Sequence, residues 1–505
     1  MERDRRQQGP TAADGISSPA AGRLGRRAFL QRSALLAAGF AAPPGLLSAC
    51  GDSGGGAVPE SFDPARPWWL QNDFAPVDDE MDAFDLRVRG RIPAALDGLY
   101  VRNGSNPQKA DSPHWFFGDG MVHGVRIGDG KALWYRNRWI HTILFDKGIG
   151  FGDPNTPPVG GANQSNVSTI WHGGRLLTSG EVGFPYELDP RDLSTKGVYD
   201  FAGALTTSFT AHPKIDPVTG SLHFFGYWFF RPYLTYSVAD RSGRVVSSEA
   251  VDVRQTTMMH SFAITDRDVV FWECPVLFSL EEAMAGALNP FHWDPSYGTR
   301  VGIMPLGGST SDIRWVEIEN CFVFHELNAY REGNEVVVDV CRHPDMFAGE
   351  GLEDSDGDLR RWRIDTGGSS LRFRDEVVTT APYELPQPDR RFTGRRHRYG
   401  WFATTRPSDT TVDFGGTGYV DYETGKVSLW DPGSTRHAGE PFFVAGGEAE
   451  GDGWLLTFVY DHANGKSTLA ILPALDPDGG PVAEIELPRR VPYGFHGVWI
   501  PGGGE

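Results

Sequence analysis

Short apolar runs alternate with turn signals along the chain from about Phe84 onward. Val125-Arg126-Ile127 leads to Asp129-Gly130 and then to Ala132-Leu133-Trp134-Tyr135. Thr424-Gly425 precedes Val427-Ser428-Leu429-Trp430, and Asn464-Gly465 precedes Thr468-Leu469-Ala470-Ile471. Each pattern predicts a hairpin, because Gly and Asn tolerate the positive φ that a tight reversal needs between β-branched and aromatic flanks. The signals recur over some 400 residues with one helix-like stretch, Leu280 to Leu288. Many hairpins without a domain break predict an all-β fold of repeated sheets, a β-propeller. No WD or kelch signature marks the blades, so the pattern leaves their number open.

Composition agrees: 63 Gly and 36 Pro among 505 residues favour tight turns over long helices. The first fifty residues read differently. Arg26-Arg27-Ala28-Phe29-Leu30 is a twin-arginine pattern, and the apolar run Ala34 to Ala42 behind it is too short to span a bilayer. Leu47-Ser48-Ala49-Cys50 resembles a lipobox. We therefore expect three parts: a twin-arginine lipoprotein-type signal peptide over 1–50, a flexible linker over 51–75, and one propeller domain over 76–505. Lipidation is expected at Cys50, with export and a lipid anchor at the cell envelope.

Residues 51–505 hold 40 Lys and Arg against 63 Asp and Glu, a net charge of −23. So acidic a body argues against nucleic acid and against broad docking on anionic lipid. Beyond Cys50 only Cys274, Cys321 and Cys341 remain, without zinc-like spacing, so cysteine is not expected to carry the chemistry. Asp354-Ser355-Asp356-Gly357-Asp358 opens like a calcium loop but has Asp365 where a glutamate is needed, and reads as a solvated turn.

Histidine is the more informative residue. His172, His397, His437 and His462 sit in polar or arginine-rich surroundings and read as surface residues. His212, His260, His325 and His496 each stand at the edge of a predicted strand, spread over most of the fold. The innermost strands of a propeller line one axis, so histidines at those strand ends can converge there. Four imidazoles without a carboxylate among the ligands suit a redox-active divalent metal such as Fe(II).

Several stretches resemble the carotenoid cleavage oxygenase family: Gly98-Leu99-Tyr100-Val101-Arg102-Asn103-Gly104, His114 through His123, Met259-His260-Ser261-Phe262, Phe324-His325-Glu326-Leu327-Asn328 and Gly494-Phe495-His496-Gly497. The resemblance runs from about Gly90 to Pro501. It implies a seven-bladed propeller with a cap of loops and short helices, and one Fe(2+) per chain on His212, His260, His325 and His496. It further implies three glutamates behind those ligands: Glu181 for His260, Glu384 for His325 and Glu440 for His496, with His212 lacking one. A carboxylate on one ring nitrogen fixes the tautomer and leaves the other lone pair for a metal. Phe117 and Ser261 depart from the aspartates of some relatives, and His114 and His123 are expected to be structural.

The implied reaction is O2-dependent cleavage of a carbon–carbon double bond in an apolar conjugated alkene, giving two carbonyl products. No catalytic residue is expected beyond the metal ligands. A carotenoid or apocarotenoid is the favoured substrate and a lignostilbene-type stilbene the alternative. An isomerase on the same scaffold and a non-enzymatic ligand-binding propeller are the competing classes. The segment from Phe291 to Pro305 reads either as a membrane-contacting surface or as buried loop anchors.

Overall fold

In the computed structural model, hairpins of the predicted kind build seven antiparallel blades and one further two-stranded sheet among the described residues. The structure describes residues 63–504 except 64, 110–111, 151–152, 154, 158, 286, 288, 349–356 and 406–413. The signal peptide, Cys50 and most of the expected linker lie outside the described residues.

Blades II to VI are four-stranded meanders that follow one another over residues 168–198, 214–251, 263–318, 326–379 and 383–430. Blade I joins Met81–Phe84, Lys131–Trp139, Gly120–Gly128 and Gly98–Ser105 to the last strand, Gly497–Pro501. Blade VII takes Val88–Gly90 at its outer edge, against Ala483–Glu486. Two blades thus combine early and late chain, and the ring closes by strand pairing at both places. The tightest turns follow their sequence signals: Asp129 and Gly130 have φ of 52° and 68°, and they reverse the chain between two nine-residue strands.

Apolar packing explains why the sheets form a ring. Middle strands such as Leu222–Tyr227 and Asp268–Glu273 are buried along their whole length, because each is covered on both faces by neighbouring blades. Each pair of adjacent blades shares its own apolar cluster, as where Trp272 of blade IV meets Trp362 of blade V, and Trp401 of blade VI stacks on Phe443 of blade VII. Outer strands such as Arg372–Thr379 are polar and largely open to solvent. A cavity of about 470 Å³ touches the innermost strand of all seven blades and so marks the common axis.

The cap carries the short helices Ile143–Lys147 and Leu280–Met284 and a hairpin of Val276–Phe278 with Phe291–Trp293. No helix among the described residues is long and apolar enough to cross a membrane.

Several expectations need correction. The 51–75 linker ends early: two 3-10 turns, Trp68–Leu70 and Asn72–Phe74, pack Leu70 and Phe74 into the fold because Trp68, Trp69, Leu70 and Phe74 together supply enough apolar surface. His172 and His397 are buried; His172 Nε2 bonds the Gly220 carbonyl at 2.9 Å, and His397 Nε2 lies 3.0 Å from Asp339. Between Phe291 and Pro305, Val301, Ile303 and Met304 are buried in the strand Thr299–Pro305, and Phe291 packs on Phe278. The calcium-like stretch lies partly outside the described residues, and Asp358 begins the strand Asp358–Asp365.

Candidate metal centre

Each of the four histidines stands immediately before the innermost strand of a blade. His212 precedes Lys214–Ile215 of blade III, His260 precedes Ala263–Ile264 of blade IV, His325 precedes Glu326–Glu332 of blade V, and His496 precedes Gly497–Pro501 of blade I. Ring closure therefore brings together residues nearly 300 positions apart. One ligand nitrogen from each ring lies within 4.8 Å of the others. His212 Nε2 and His260 Nε2 face each other at 2.8 Å, and the ring centroids of His212 and His496 are 4.5 Å apart.

Local irregularities aim these side chains. The pairing register shifts between Glu326 and Asn328 just after His325, and again between Glu384 and Gln387, where Leu385 has φ of 50°. Such bulges re-aim a side chain at a strand end. Around His496 the chain approaches blade I so closely that two positions must be glycine. A Cβ on Gly494 would stand 2.5 Å from the Asn103 carbonyl oxygen, and one on Gly497 would stand 2.8 Å from the Tyr100 ring.

A carboxylate backs three of the four rings. Glu384 lies 2.5 Å from His325 Nδ1, and Glu440 lies 2.8 Å from His496 Nδ1. Glu181 lies 2.7 Å from His260 Nδ1, though off the line of the ring N–H. Among the described residues no carboxylate contacts His212. Burial pushes the His212 pKa well down, and the imidazoles of His260, His496 and His325 and the Lys214 ammonium add to the effect. Burial likewise brings His325 down to about 3, against the opposing pull of Glu384. Burial alone would raise Glu384, but His325 and His343 together hold it well below the usual carboxylate range. At neutral pH His212 and His325 are thus neutral imidazoles, and Glu384 behind His325 is ionised.

The donor set fits a divalent ion. Nε2 of His325 is buried without a hydrogen-bond partner among the described residues, which is costly unless something else accepts its lone pair. Nitrogens bound at about 2.0–2.1 Å to one ion lie at most roughly 4.2 Å apart, close to the spread seen here.

The sequence profile of the retinal pigment epithelial membrane protein family (RPE65) matches residues 74–501, which include all four histidines and all three glutamates. The chain belongs to the carotenoid cleavage oxygenase family. Carotenoid 9,10(9',10')-cleavage dioxygenase 1 of Arabidopsis thaliana is 35% identical, over 86% of this chain and 89% of its own. The carotenoid cleavage oxygenase of Mycobacterium tuberculosis is 36% identical, over 86% of this chain and 97% of its own. Among solved structures, the lignostilbene dioxygenase of Pseudomonas brassicacearum superposes with a TM-score of 0.79 at 27% identity, covering 86% of this chain and 99% of that one. The fold is the seven-bladed propeller of carotenoid cleavage oxygenases, and the chain is an enzyme of that type. Family membership sets aside the non-enzymatic binding module.

Sequence reading missed the outer support of this centre in the carotenoid cleavage oxygenase scaffold. His343 Nε2 lies 2.7 Å from the second oxygen of Glu384, Gln387 donates to Glu440 at 2.7 Å, and the Tyr227 hydroxyl donates to Glu181 at 3.1 Å. Gln387 follows three residues behind Glu384, so its place in that short stretch was the available signal. His343 and Tyr227 carried none. Ser261 donates to Glu326 at 2.6 Å, and Lys214 pairs with the same carboxylate. His114 and His123 are buried; His123 Nδ1 lies 2.9 Å from the Tyr135 hydroxyl.

Proposed function

We propose that the protein is a non-haem Fe(II) dioxygenase that cleaves a carbon–carbon double bond of a carotenoid or apocarotenoid with O2. The observation that carries the reading is the convergence of His212, His260, His325 and His496, three of them backed by glutamates. These four residues would hold one Fe(II) per chain, and the ion would supply the activation of O2 for scission of the alkene to two carbonyls.

The chain's own residues do three things. Glu181, Glu384 and Glu440 orient their rings and add negative charge that neutral imidazoles lack. The interblade clusters hold the four strand ends rigid, so the ligands are set before a metal arrives. The Phe324 ring stands edge-on to His260 at 5.1 Å and gives an apolar wall for an alkene. The axial cavity, which reaches His212, His325 and His496, also carries the Lys214–Glu326 pair and Arg390, which suits water better than a polyene.

The similarity to the lignostilbene dioxygenase favours a phenolic stilbene as the second reading. The twin-arginine and lipobox patterns support export and anchoring at the cell envelope, where an apolar substrate partitions into lipid.

Iron-loaded protein incubated under 18O2 with one apocarotenal and one hydroxystilbene tests both readings. Labelled aldehydes from the apocarotenal are expected. Products from the stilbene alone would move the assignment to the second reading. Conversion without O2 uptake would indicate an isomerase, and no conversion of either substrate would reject the proposal.

A further inference from the structure

A second group of ligand-type side chains lies apart from the four histidines. Asp73 Oδ2 is 3.0 Å from His462 Nε2 and 3.2 Å from His437 Nδ1, and the two nitrogens are 3.3 Å apart. Both histidines were expected at the surface; instead they are half-buried and face a buried carboxylate. Asp73 belongs to the 3-10 turn Asn72–Phe74, His437 to the strand Arg436–Ala438, and His462 to the turn after Gly453–Asp461, held by its N–H to the Thr435 carbonyl at 2.9 Å.

Hydrogen bonding alone accounts poorly for this triangle. Both rings would donate to one oxygen with their donor nitrogens in contact, while the other oxygen, Oδ1, is buried without a partner among the described residues. Atoms bound to one ion at about 2.0–2.1 Å stand roughly 3.0–3.4 Å apart at adjacent positions, which matches all three edges. Two imidazoles and one carboxylate form a donor set that first-row divalent ions favour.

We propose that Asp73, His437 and His462 form a second divalent transition-metal site, which staples the N-terminal segment to blade VII. The staple sits next to the chain that enters His496. The Asp73 carbonyl accepts the Tyr493 N–H at 2.7 Å; Phe74 packs on Trp115 and Tyr493; and Trp115 stacks on Phe495 at 4.5 Å. An ion here therefore stiffens the aromatic floor beside one ligand of the main centre without touching that centre.

The test is calorimetric titration of untagged, iron-loaded full-length protein with Zn2+, with elemental analysis before and after. The wild type should take up one equivalent of zinc, keep its iron and unfold at a higher temperature. His462→Gln and Asp73→Asn should lose that equivalent and the thermal shift while retaining iron and turnover. Zinc uptake that is equal in all three proteins, or no uptake by a folded wild type, overturns the proposal. Zinc that appears only as iron leaves would place the binding at the main centre and overturn it equally.

Discussion

His343 holds Glu384 from the side that His325 leaves free. Its Nε2 lies 2.7 Å from Oε1, while His325 Nδ1 lies 2.5 Å from Oε2. The carboxylate is thus fixed at both oxygens, and a residue that faces no ligand position sets the orientation of one that does.

If the chain of contacts acts through Glu384, then Glu384→Ala should weaken metal binding by about 10–100-fold. His343→Ala should cost less, since it loosens the carboxylate and leaves it in place. Adding His343→Ala to Glu384→Ala should cost little more, because the two share one route. Iron content at fixed free metal reads this directly; full additivity would show that His343 acts elsewhere.

Glutamine should be tolerated at 181 and resisted at 440. Tyr227 is the further partner of Glu181, and its hydroxyl can turn to accept from an amide. Glu440 meets only donors: His496 Nδ1, Gln387 Nε2 and the Gly497 N–H at 2.7 Å. An amide there must aim its own NH2 at one of them and leave a buried donor unpaired. Glu440→Gln should destabilise the fold by about 1–3 kcal/mol and Glu181→Gln by much less, as thermal unfolding would measure.

Loss of a ligand should outweigh both changes. His325→Ala is expected to remove most bound iron and nearly all turnover. Retention of full iron and full turnover by this variant would refute the ligand set.

Gly494→Ala should displace His496 with no change in ligand chemistry. Its Cβ meets backbone, the Asn103 carbonyl at 2.5 Å, which cannot swing away. A loss of about 1–3 kcal/mol is expected, with iron content falling in parallel. Normal stability and normal iron would show that this backbone approach does not position His496.

The cysteines should be silent in the native state. Burial pushes the Cys274 and Cys341 thiols far above the usual range and brings Cys321 up to about 12. Thiolate grows only as pH approaches such values, so alkylation at pH 8 should leave all three unmodified, and denaturant should expose all three. Peptide mass spectrometry distinguishes the two states.

The sequence by itself determined the local pieces. Asp129-Gly130 forces a reversal whatever surrounds it, because the backbone signs needed there suit few other pairs. Family contexts also marked the four histidines and the three glutamates one residue at a time. Tertiary structure decided what those residues meet. His212 and His496 approach each other only because seven blades close into a ring, and closure depends on packing between blades that no short window contains. The same holds for the errors. His397 stands among arginines, yet its ring is buried against Asp339. His437 and His462 stand in polar stretches, yet the fold brings them against Asp73 from the other end of the chain. Local polarity reports what a residue can tolerate; its partner is set by which distant strand the fold lays beside it.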